Sequence, residues 1–326
     1  MRTFPRLPVI VSIASALMLG LGAGNATATN IKSCATKTFK AKTPGATYKL
    51  TAGQTVAAAT DCIHVTAPGV TIDLAGFTIT GHNGKANGIV IMPKAVGASI
   101  VSSTSGGTIT GFDTGILDQA SSARIEGLSI TNNTTAGVVV SGPPSVSGTP
   151  PIIDGSVIAG NLITGNGQYG VELASTTHCM VDRNSQIGGS YGIVSGNTDI
   201  GVWIANASGA QLTADNVVSW NELIEIGGSR IEAGASANPA SCSGSASAAT
   251  LGNIIANNSL PLDADNSQYG IALQCNSAED TAVLANDVPF GAGAIDDLFD
   301  GNTSPPCGSN FWGANTFGTS NQSCIH

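Results

Sequence analysis

Short runs of alternating apolar and polar residues, each ending at a turn, cover most of the chain. Segment 61–81 shows the pattern: the runs 63–65, 70–74 and 77–79 are separated by an Ala-Pro-Gly turn and an Ala-Gly turn. Period-two alternation places the apolar side chains on one face of each strand. The segment therefore predicts three short strands and two corners, which make one coil of a three-sided β-solenoid.

A motif of Gly, then Ile or Val, then any residue and usually an aliphatic residue recurs along the chain, with gaps of 22, 22 and 27 residues at three places. A repeat of this length is typical of a solenoid coil. Asn-Gly and Asp-Gly hairpin turns are largely missing, which favours parallel stacking of coils over antiparallel hairpins. The motif begins at Gly88, Gly115, Gly137, Gly170, Gly192, Gly201 and Gly270.

Two segments resemble those of a known family. The sequence VTIDLAGFTITG (70–81) is similar to the N-terminal coil of secreted repeat proteins in the pectin-lyase-like superfamily, and NFWGANTFGTSNQSCI (310–325) resembles the C-terminal cap segment of some members. The resemblance implies an all-β, right-handed parallel β-helix with N- and C-terminal caps. It implies a fold and not an activity, because the repeat encodes core packing while function lies in sites added to it.

The N-terminus is typical of an exported protein. Arg2 and Arg6 precede an apolar run at 9–21 and the small residues 26–28, which predicts a secretory signal peptide, with a membrane anchor as the alternative. We expect the mature protein to be secreted or periplasmic, with no membrane span after cleavage. The predicted divisions are a signal peptide (1–28), an N-terminal cap (29–60), parallel β-helix coils (61–300) and a C-terminal cap segment (301–326).

The chain contains seven cysteines. In an exported protein they indicate disulfides, and no C-x-x-C pair points to a metal site. Pairing of sequence neighbours leaves Cys179 over, and we expect it to be an inert, buried thiol. The predicted pairs are Cys34–Cys62, Cys242–Cys275 and Cys307–Cys324.

Charge limits the class of partner. The formal net charge is −9, and it becomes −11 once Arg2 and Arg6 are removed with the signal peptide. This argues against nucleic acid, anionic membrane surfaces and polyanions held by charge alone. A neutral or cationic ligand, or an acidic polymer bridged by metal, remains open.

In each repeated motif the third residue is predicted to point outward. Glu172 and Trp203 are the polar and aromatic members of this outer ladder, and an exposed Trp on a flat β face is a platform for sugar rings. Alternatively, the Pro/Gly-rich loop at 141–151 covers the face and Trp203 packs beneath it. The predicted ladder is Val90, Leu117, Val139, Glu172, Val194, Trp203 and Ala272.

The Asn-Thr-Asp sequence at 197–199 is similar to a motif of polygalacturonase-type β-helix hydrolases. Those enzymes also carry an Asp pair one coil later, a Gly-His-Gly and an Arg-Ile-Lys; here only Asp215 stands in the next coil, no such histidine follows, and residues 230–232 read Arg-Ile-Glu. Asp199, Asp215 and Glu222 could supply the acid and base of an inverting hydrolase, but the motif is incomplete.

A uronate lyase needs a base and a cation against the carboxylate. Asp182-Arg183 is the best local pairing, with Glu172 less than a coil earlier, and a surface ion pair is the alternative. Ca²⁺ is the one cofactor left open, because the acidic sequences at 263–267 and 296–302 contain oxygen ligands without a complete calcium loop. Neither these sequences nor the scattered histidines predict a defined metal site.

The function expected from the sequence is contact with polysaccharide through a lateral face, as a binding or surface module. This reading is preferred because no complete acid and base set is found. The alternative is a polysaccharide lyase or glycoside hydrolase acting on a uronate-containing polymer, centred on residues 172–232. A passive scaffold without a ligand is the third hypothesis.

Overall fold

The structure is a computed structural model, and it describes part of the chain. Within the described residues it contains strands and no helix, and none of these residues forms a helix long and apolar enough to cross a membrane. The predicted signal peptide lies almost wholly outside this part. The described ranges are 28–144, 151–185, 200–205, 212–223, 229–234 (without the side chains of 229 and 230), 250–260, 269–274, 278–289, 295–302 and 307–326.

Sheets A and B are the two long parallel sheets. The strands of sheet A are Thr29–Ile31, Thr47–Leu50, Thr71–Asp73, Ser99–Val101, Arg124–Glu126, Val157–Ala159, Met180–Asp182, Val217–Ser219, Ile254–Ala256, Ala282–Leu284 and Phe311–Gly313. The strands of sheet B are Phe39–Ala41, Ile63–Val65, Asn87–Ile91, Thr114–Asp118, Ala136–Ser141, Tyr169–Ala174, Ile200–Ala205, Ser229–Gly234, Tyr269–Leu273 and Asp296–Asp300.

Two shorter parallel sheets complete the coils. Sheet C consists of Gln54–Thr55, Thr78–Thr80, Thr108–Thr110, Ser129–Thr131 and Leu162–Thr164. Sheet D lies between sheets B and A along the chain and consists of Ile153–Asp154, Thr176–Thr177, Thr213–Ala214, Thr250–Leu251 and Ala278–Glu279. A final parallel pair joins Asp287–Val288 to Thr316–Phe317.

One coil passes through sheets B, A and C in turn. Residues 61–81 follow this path, with strands Ile63–Val65, Thr71–Asp73 and Thr78–Thr80 on the three sheets. Each strand pairs in parallel with the strand one coil away. The sequence prediction of three strands and two corners is therefore confirmed, and the described strand pairing extends from Thr29 to Phe317.

The core is a column of aliphatic side chains that stack coil upon coil. Apolar residues at alternate strand positions point inward because the other alternate positions face outward. Each ladder residue sits directly over its counterpart in the next coil, so one continuous core results. In sheet A the fully buried ladder includes Ile72, Ile100, Ile125, Ile158, Val181, Val218, Ile255 and Val283.

A ladder of buried asparagines runs along the corner between sheets A and C. At Asn221, Oδ1 accepts hydrogen bonds from the backbone N–H of Asn184 at 3.0 Å and from its Nδ2 at 3.0 Å, and Nδ2 donates to the carbonyl of Val181 at 2.9 Å. The same bonds repeat in successive coils, so the ladder satisfies buried backbone groups at the bend. Its members are Asn161, Asn184, Asn221, Asn258, Asn286 and Asn315.

One sequence prediction about sheet B was wrong. Glu172 pairs directly with Trp203, and Trp203 pairs with Glu232, so Val194 does not stand between the first two and Glu232 joins the ladder instead. The register of this ladder was assigned from the glycine motif, whereas pairing follows the inward aliphatic residues. Asp296–Asp300 is the last strand of sheet B, with Leu298 buried.

The disulfide prediction is confirmed for two pairs. Cys34–Cys62 and Cys307–Cys324 are bonded, with Cα atoms 4.9 and 6.3 Å apart. The predicted pair Cys242–Cys275 lies outside the described residues. Cys179 is a free, buried thiol, and burial raises its pKa to about 12, so it is a poor nucleophile near neutral pH.

Candidate functional site on the outer face of sheet A

The outer face of sheet A in the C-terminal coils is apolar and open. Exposed fractions of 37% for Met180, 40% for Ile254 and 59% for Phe311 are high for large apolar side chains. These residues belong to one outward ladder, so they form a continuous strip along the solenoid rather than scattered exposures. The strip consists of Val157, Met180, Val217, Ile254, Ala282 and Phe311.

Trp220 and Arg183 form an edge of this strip, at the corner with sheet C. Arg183 N–H donates to the carbonyl of Ser219, and Trp220 N–H donates to that of Ala256, so the two residues hold the same position in successive coils. Trp220 is 62% exposed and is the most exposed of the large apolar side chains described. Both residues have left-handed backbone, with φ of 50° and 56°.

Asp182 lies between the strip and this edge, and its carboxylate is nearly buried. Oδ1 accepts a hydrogen bond from Ser219 Oγ at 2.9 Å, and Oδ2 is 2.7 Å from an Arg183 guanidinium nitrogen. The sequence prediction that Asp182 and Arg183 pair is thus seen in the structure. Because the Arg183 side chain is mostly exposed, this ion pair contributes little to stability.

The opposite edge of the strip, at the corner with sheet D, is acidic. His178 Nδ1 is 2.7 Å from Asp154 Oδ1, and its Nε2 is 4.0 Å from Asp215 Oδ2. The hydrogen bond between them raises the pKa of His178 and lowers that of Asp154. Glu279 and Asp280 continue this edge and are exposed. We call Asp154, His178, Asp215, Glu279 and Asp280 the acidic edge.

The outer face of sheet B differs, because its tryptophan is covered. Trp203 is only 9% exposed, its Nε1 donates to the carbonyl of Gly234 at 3.1 Å, and its ring centroid lies 4.9 Å from that of Tyr169. Trp203 therefore presents little of its ring to solvent, and the loop at 141–151 that was predicted to cover it lies partly outside the described residues.

Glu172 is the neighbour of Trp203 on that ladder. Desolvation by burial raises its pKa to about 7, and no described residue gives its carboxylate a hydrogen bond. Desolvation, then the charges of Glu172 and Glu232, also raise the pKa of Tyr169. A carboxyl group that is half protonated near neutral pH can donate or accept a proton in a reaction.

The structure brings some of the predicted site residues together and separates others. Asp182, Arg183 and Asp215 share the outer face of sheet A and its edges. Glu172 and Trp203 lie on sheet B. Glu222 is exposed on the sheet C side, where its backbone forms an isolated parallel β-bridge with that of Ser259. Asp199 lies outside the described residues.

Sequence reasoning missed Trp220 and His178. Each immediately precedes a residue that turns into the core at a corner, Asn221 and Cys179. The Asn that recurs after each strand indicates the corner. The exposed position just before it can be identified only after the coils have been aligned in register.

The described residues include no group of three or more His, Cys, Asp and Glu side chains placed to hold a metal ion. In the acidic sequence 296–302, Asp300 instead accepts hydrogen bonds from Trp312 Nε1 at 2.9 Å and from Asn302 N–H at 2.8 Å. Segment 263–267 lies outside the described part, so the structure does not test whether it binds Ca²⁺.

Comparison with known proteins gives a fold. No protein-family model matches the chain, and no curated protein is significantly similar. Among solved structures, the Dettilon tailspike protein gp208 aligns with 91% of this chain at 16% identity and a TM-score of 0.58, and the chain spans 59% of the tailspike. An alginate lyase from Paenibacillus sp. str. FPU-7 aligns over 87% of this chain and 93% of its own, at 15% identity and a TM-score of 0.58. The chain is a right-handed parallel β-helix.

A third β-helix supports the same fold. The A-module of the Azotobacter vinelandii mannuronan C-5 epimerase AlgE4 aligns over 89% of this chain and 75% of its own, at 12% identity and a TM-score of 0.55. Identities this low establish shared architecture and leave the site to be argued from its own residues.

Proposed function

We propose that this β-helix is exported and binds polysaccharide through the outer face of sheet A, with Trp220 as the platform for a sugar ring. The observation that carries the proposal is the exposed Trp220 beside a strip of exposed apolar side chains. Sugar rings present apolar C–H faces that pack on aromatic planes, and their hydroxyls stay in water. Two disulfides support an oxidising, extracytoplasmic location.

The backbone at Trp220 strengthens the argument. A left-handed conformation costs roughly 1–2 kcal/mol for a residue with a Cβ, and glycine or asparagine adopt it more readily. The equivalent corner carries Gly160 two coils before, Arg183 one coil before and Asn257 one coil after, with the small Ala285 and Ala314 in later coils. A bulky, solvent-exposed aromatic at this position gains little packing, so a binding role accounts for it better than stability does.

The similar β-helix structures favour a polysaccharide as the ligand. Two of the similar structures are, by name, an alginate lyase and a mannuronan C-5 epimerase, so this fold carries polysaccharide chemistry in those proteins. A wide, shallow, apolar face suits an extended polymer better than a small molecule, which needs a concave pocket.

Binding to a broad panel of soluble and insoluble polysaccharides tests the proposal. We expect at least one to bind, with Trp220→Ala weakening the interaction about tenfold or more, as for a central aromatic contact. Val96→Ala removes a different exposed apolar side chain in the N-terminal coils and should leave binding unchanged. If no polysaccharide binds, or if Trp220→Ala binds as well as the parent, the proposal fails.

Cleavage of a uronate polymer is the second candidate. The observations that favour it are the Asp182–Arg183 pair on the binding face and Glu172 with a pKa of about 7 on sheet B. Incubation with pectate and alginate, with and without Ca²⁺, should then release unsaturated uronates that absorb in the ultraviolet, or reducing ends in the case of hydrolysis. Flat traces over several pH values would exclude this candidate.

A further inference from the structure

Charge is divided unequally along the solenoid. Residues 29–150 contain eight Lys and Arg against five Asp and Glu, whereas residues 151–326 contain two basic residues, Arg183 and Arg230, against 16 acidic ones. The overall net charge of −9 hides this division. The candidate face lies entirely in the acidic half.

The acidic edge carries charges that lack Lys and Arg partners. Among the described residues, the ion-pair contacts of Asp154 and Asp215 are with His178 alone, and neither Glu279 nor Asp280 pairs with a cation. On the other edge, the guanidinium of Arg183 is already matched by Asp182 at 2.7 Å. The four carboxylates of the acidic edge outnumber their one histidine partner, so the described face carries net negative charge across the strip from the exposed ring of Trp220.

The spacing of these groups suits an extended polymer. Parallel strands in successive coils lie about 4.8 Å apart, close to the length of one pyranose unit. A chain running along the apolar strip would pass Asp215 and, two coils later, Asp280 on one side. Trp220 lies on its other side, where a cation could also meet the ring face.

Resting on the proposed function, we infer that the polysaccharide bound by sheet A carries free amino groups, as a polymer containing unacetylated hexosamine does. The apolar strip and Trp220 hold the sugar rings, while the acidic edge pairs with their ammonium groups. Charge complementarity favours this class over polyuronates, whose carboxylates would face the acidic edge.

Three oligomers of equal length test the inference: β-1,4-linked glucosamine, its fully N-acetylated form, and mannuronate. The first two share a backbone and differ in charge, so their comparison isolates the ammonium groups. At mildly acidic pH and low salt, we expect the glucosamine oligomer to bind about five- to tenfold tighter than the acetylated one, the gain from one or two exposed ion pairs. Added salt should shrink this difference.

The double variant Glu279→Gln with Asp280→Asn removes two charges away from His178, and asparagine suits the left-handed backbone at 280 (φ 51°). It should clearly reduce the preference for the charged oligomer, because Asp154 and Asp215 remain, while keeping affinity for the acetylated one. Asp287→Asn, which removes an exposed charge outside the strip and its edges, should leave the preference intact.

The outcomes separate this inference from the proposed function. Equal, Trp220-dependent binding of both glucosamine forms, or tighter binding of mannuronate, overturns the inference and leaves polysaccharide binding standing. Binding of another polysaccharide from the panel but of none of the three oligomers also overturns it. Failure of every polysaccharide removes both.

Discussion

The coils before and after residues 145–150 share sheets A and B but differ at their corners and surfaces. In the N-terminal coils, sheet C has three-residue strands at 78–80, 108–110 and 129–131, and the last corner before the third of these carries Gly127 followed by the apolar Leu128. In the C-terminal coils, asparagine takes the position of Leu128, and exposed Arg183 and Trp220 take that of Gly127.

This difference shows that a solenoid can keep one aliphatic core while its corners and its outer surface vary. The inward aliphatic ladders run through both halves, so stability does not require the corners to be alike. The C-terminal half uses side-chain amides to satisfy its bends, and its outer face is free to carry aromatic and acidic groups. We therefore expect perturbations of the corners to separate stability from binding.

The largest effect is expected from Asn221→Ala, which interrupts the asparagine ladder. The change leaves the buried N–H and Nδ2 of Asn184 and the carbonyl of Val181 without their partner. Each orphaned buried group costs about 1–3 kcal/mol, so the free energy of unfolding should fall by about 3–5 kcal/mol. Urea denaturation measures this loss.

The neighbouring Asn257→Gly is the control, because Asn257 is only partly buried and glycine tolerates its left-handed backbone (φ 57°). It should change stability by less than about 1 kcal/mol. Similar losses for the two variants would show that the ladder has no special role.

A second comparison concerns two aspartates that occupy the same inward ladder of sheet B. Asp118, in the N-terminal half, accepts hydrogen bonds from Ala120 N–H at 3.0 Å and Ser156 Oγ at 2.8 Å, and burial raises its pKa to about 7. Because this folded-state pKa exceeds the unfolded one, the associated stability is full below about pH 4 and is lost as pH rises to about 7.

Asp118→Asn should therefore stabilise the protein at pH 8, by up to about 4 kcal/mol, and flatten stability between pH 4 and 7. Asp300→Asn should destabilise the protein instead, because Asp300 accepts bonds from Trp312, Asn302 and Asn310, and an amide nitrogen would oppose one of these donors. Thermal unfolding across pH measures both. If Asp118→Asn left the pH profile of stability unchanged, the raised pKa of Asp118 would be contradicted.

The sequence was sufficient for the coil because period-two alternation and turn residues act locally, as residues 61–81 illustrate. It was insufficient for the surface. Trp203 and Trp220 both point away from the core, yet Trp203 is covered and Trp220 is open, because coverage depends on contacts between distant segments. Likewise, the pairing of Glu172 with Trp203 could not be read from glycine spacing, since the segment between them interrupts the repeat.

The smallest effect on stability is expected from Trp220→Asn. This variant also tests most directly whether the C-terminal corner serves binding rather than stability. This change gives the C-terminal corner the residue that Asn257 already provides one coil later, and it relieves left-handed strain. The free energy of unfolding should stay the same or rise by up to about 1 kcal/mol, while polysaccharide binding falls as in Trp220→Ala. Trp203→Phe is the matched change on sheet B; it breaks the bond to Gly234 and should cost about 1 kcal/mol or more. A marked loss of stability in Trp220→Asn would mean that Trp220 is kept for packing, and the case for a binding face would lose its main support.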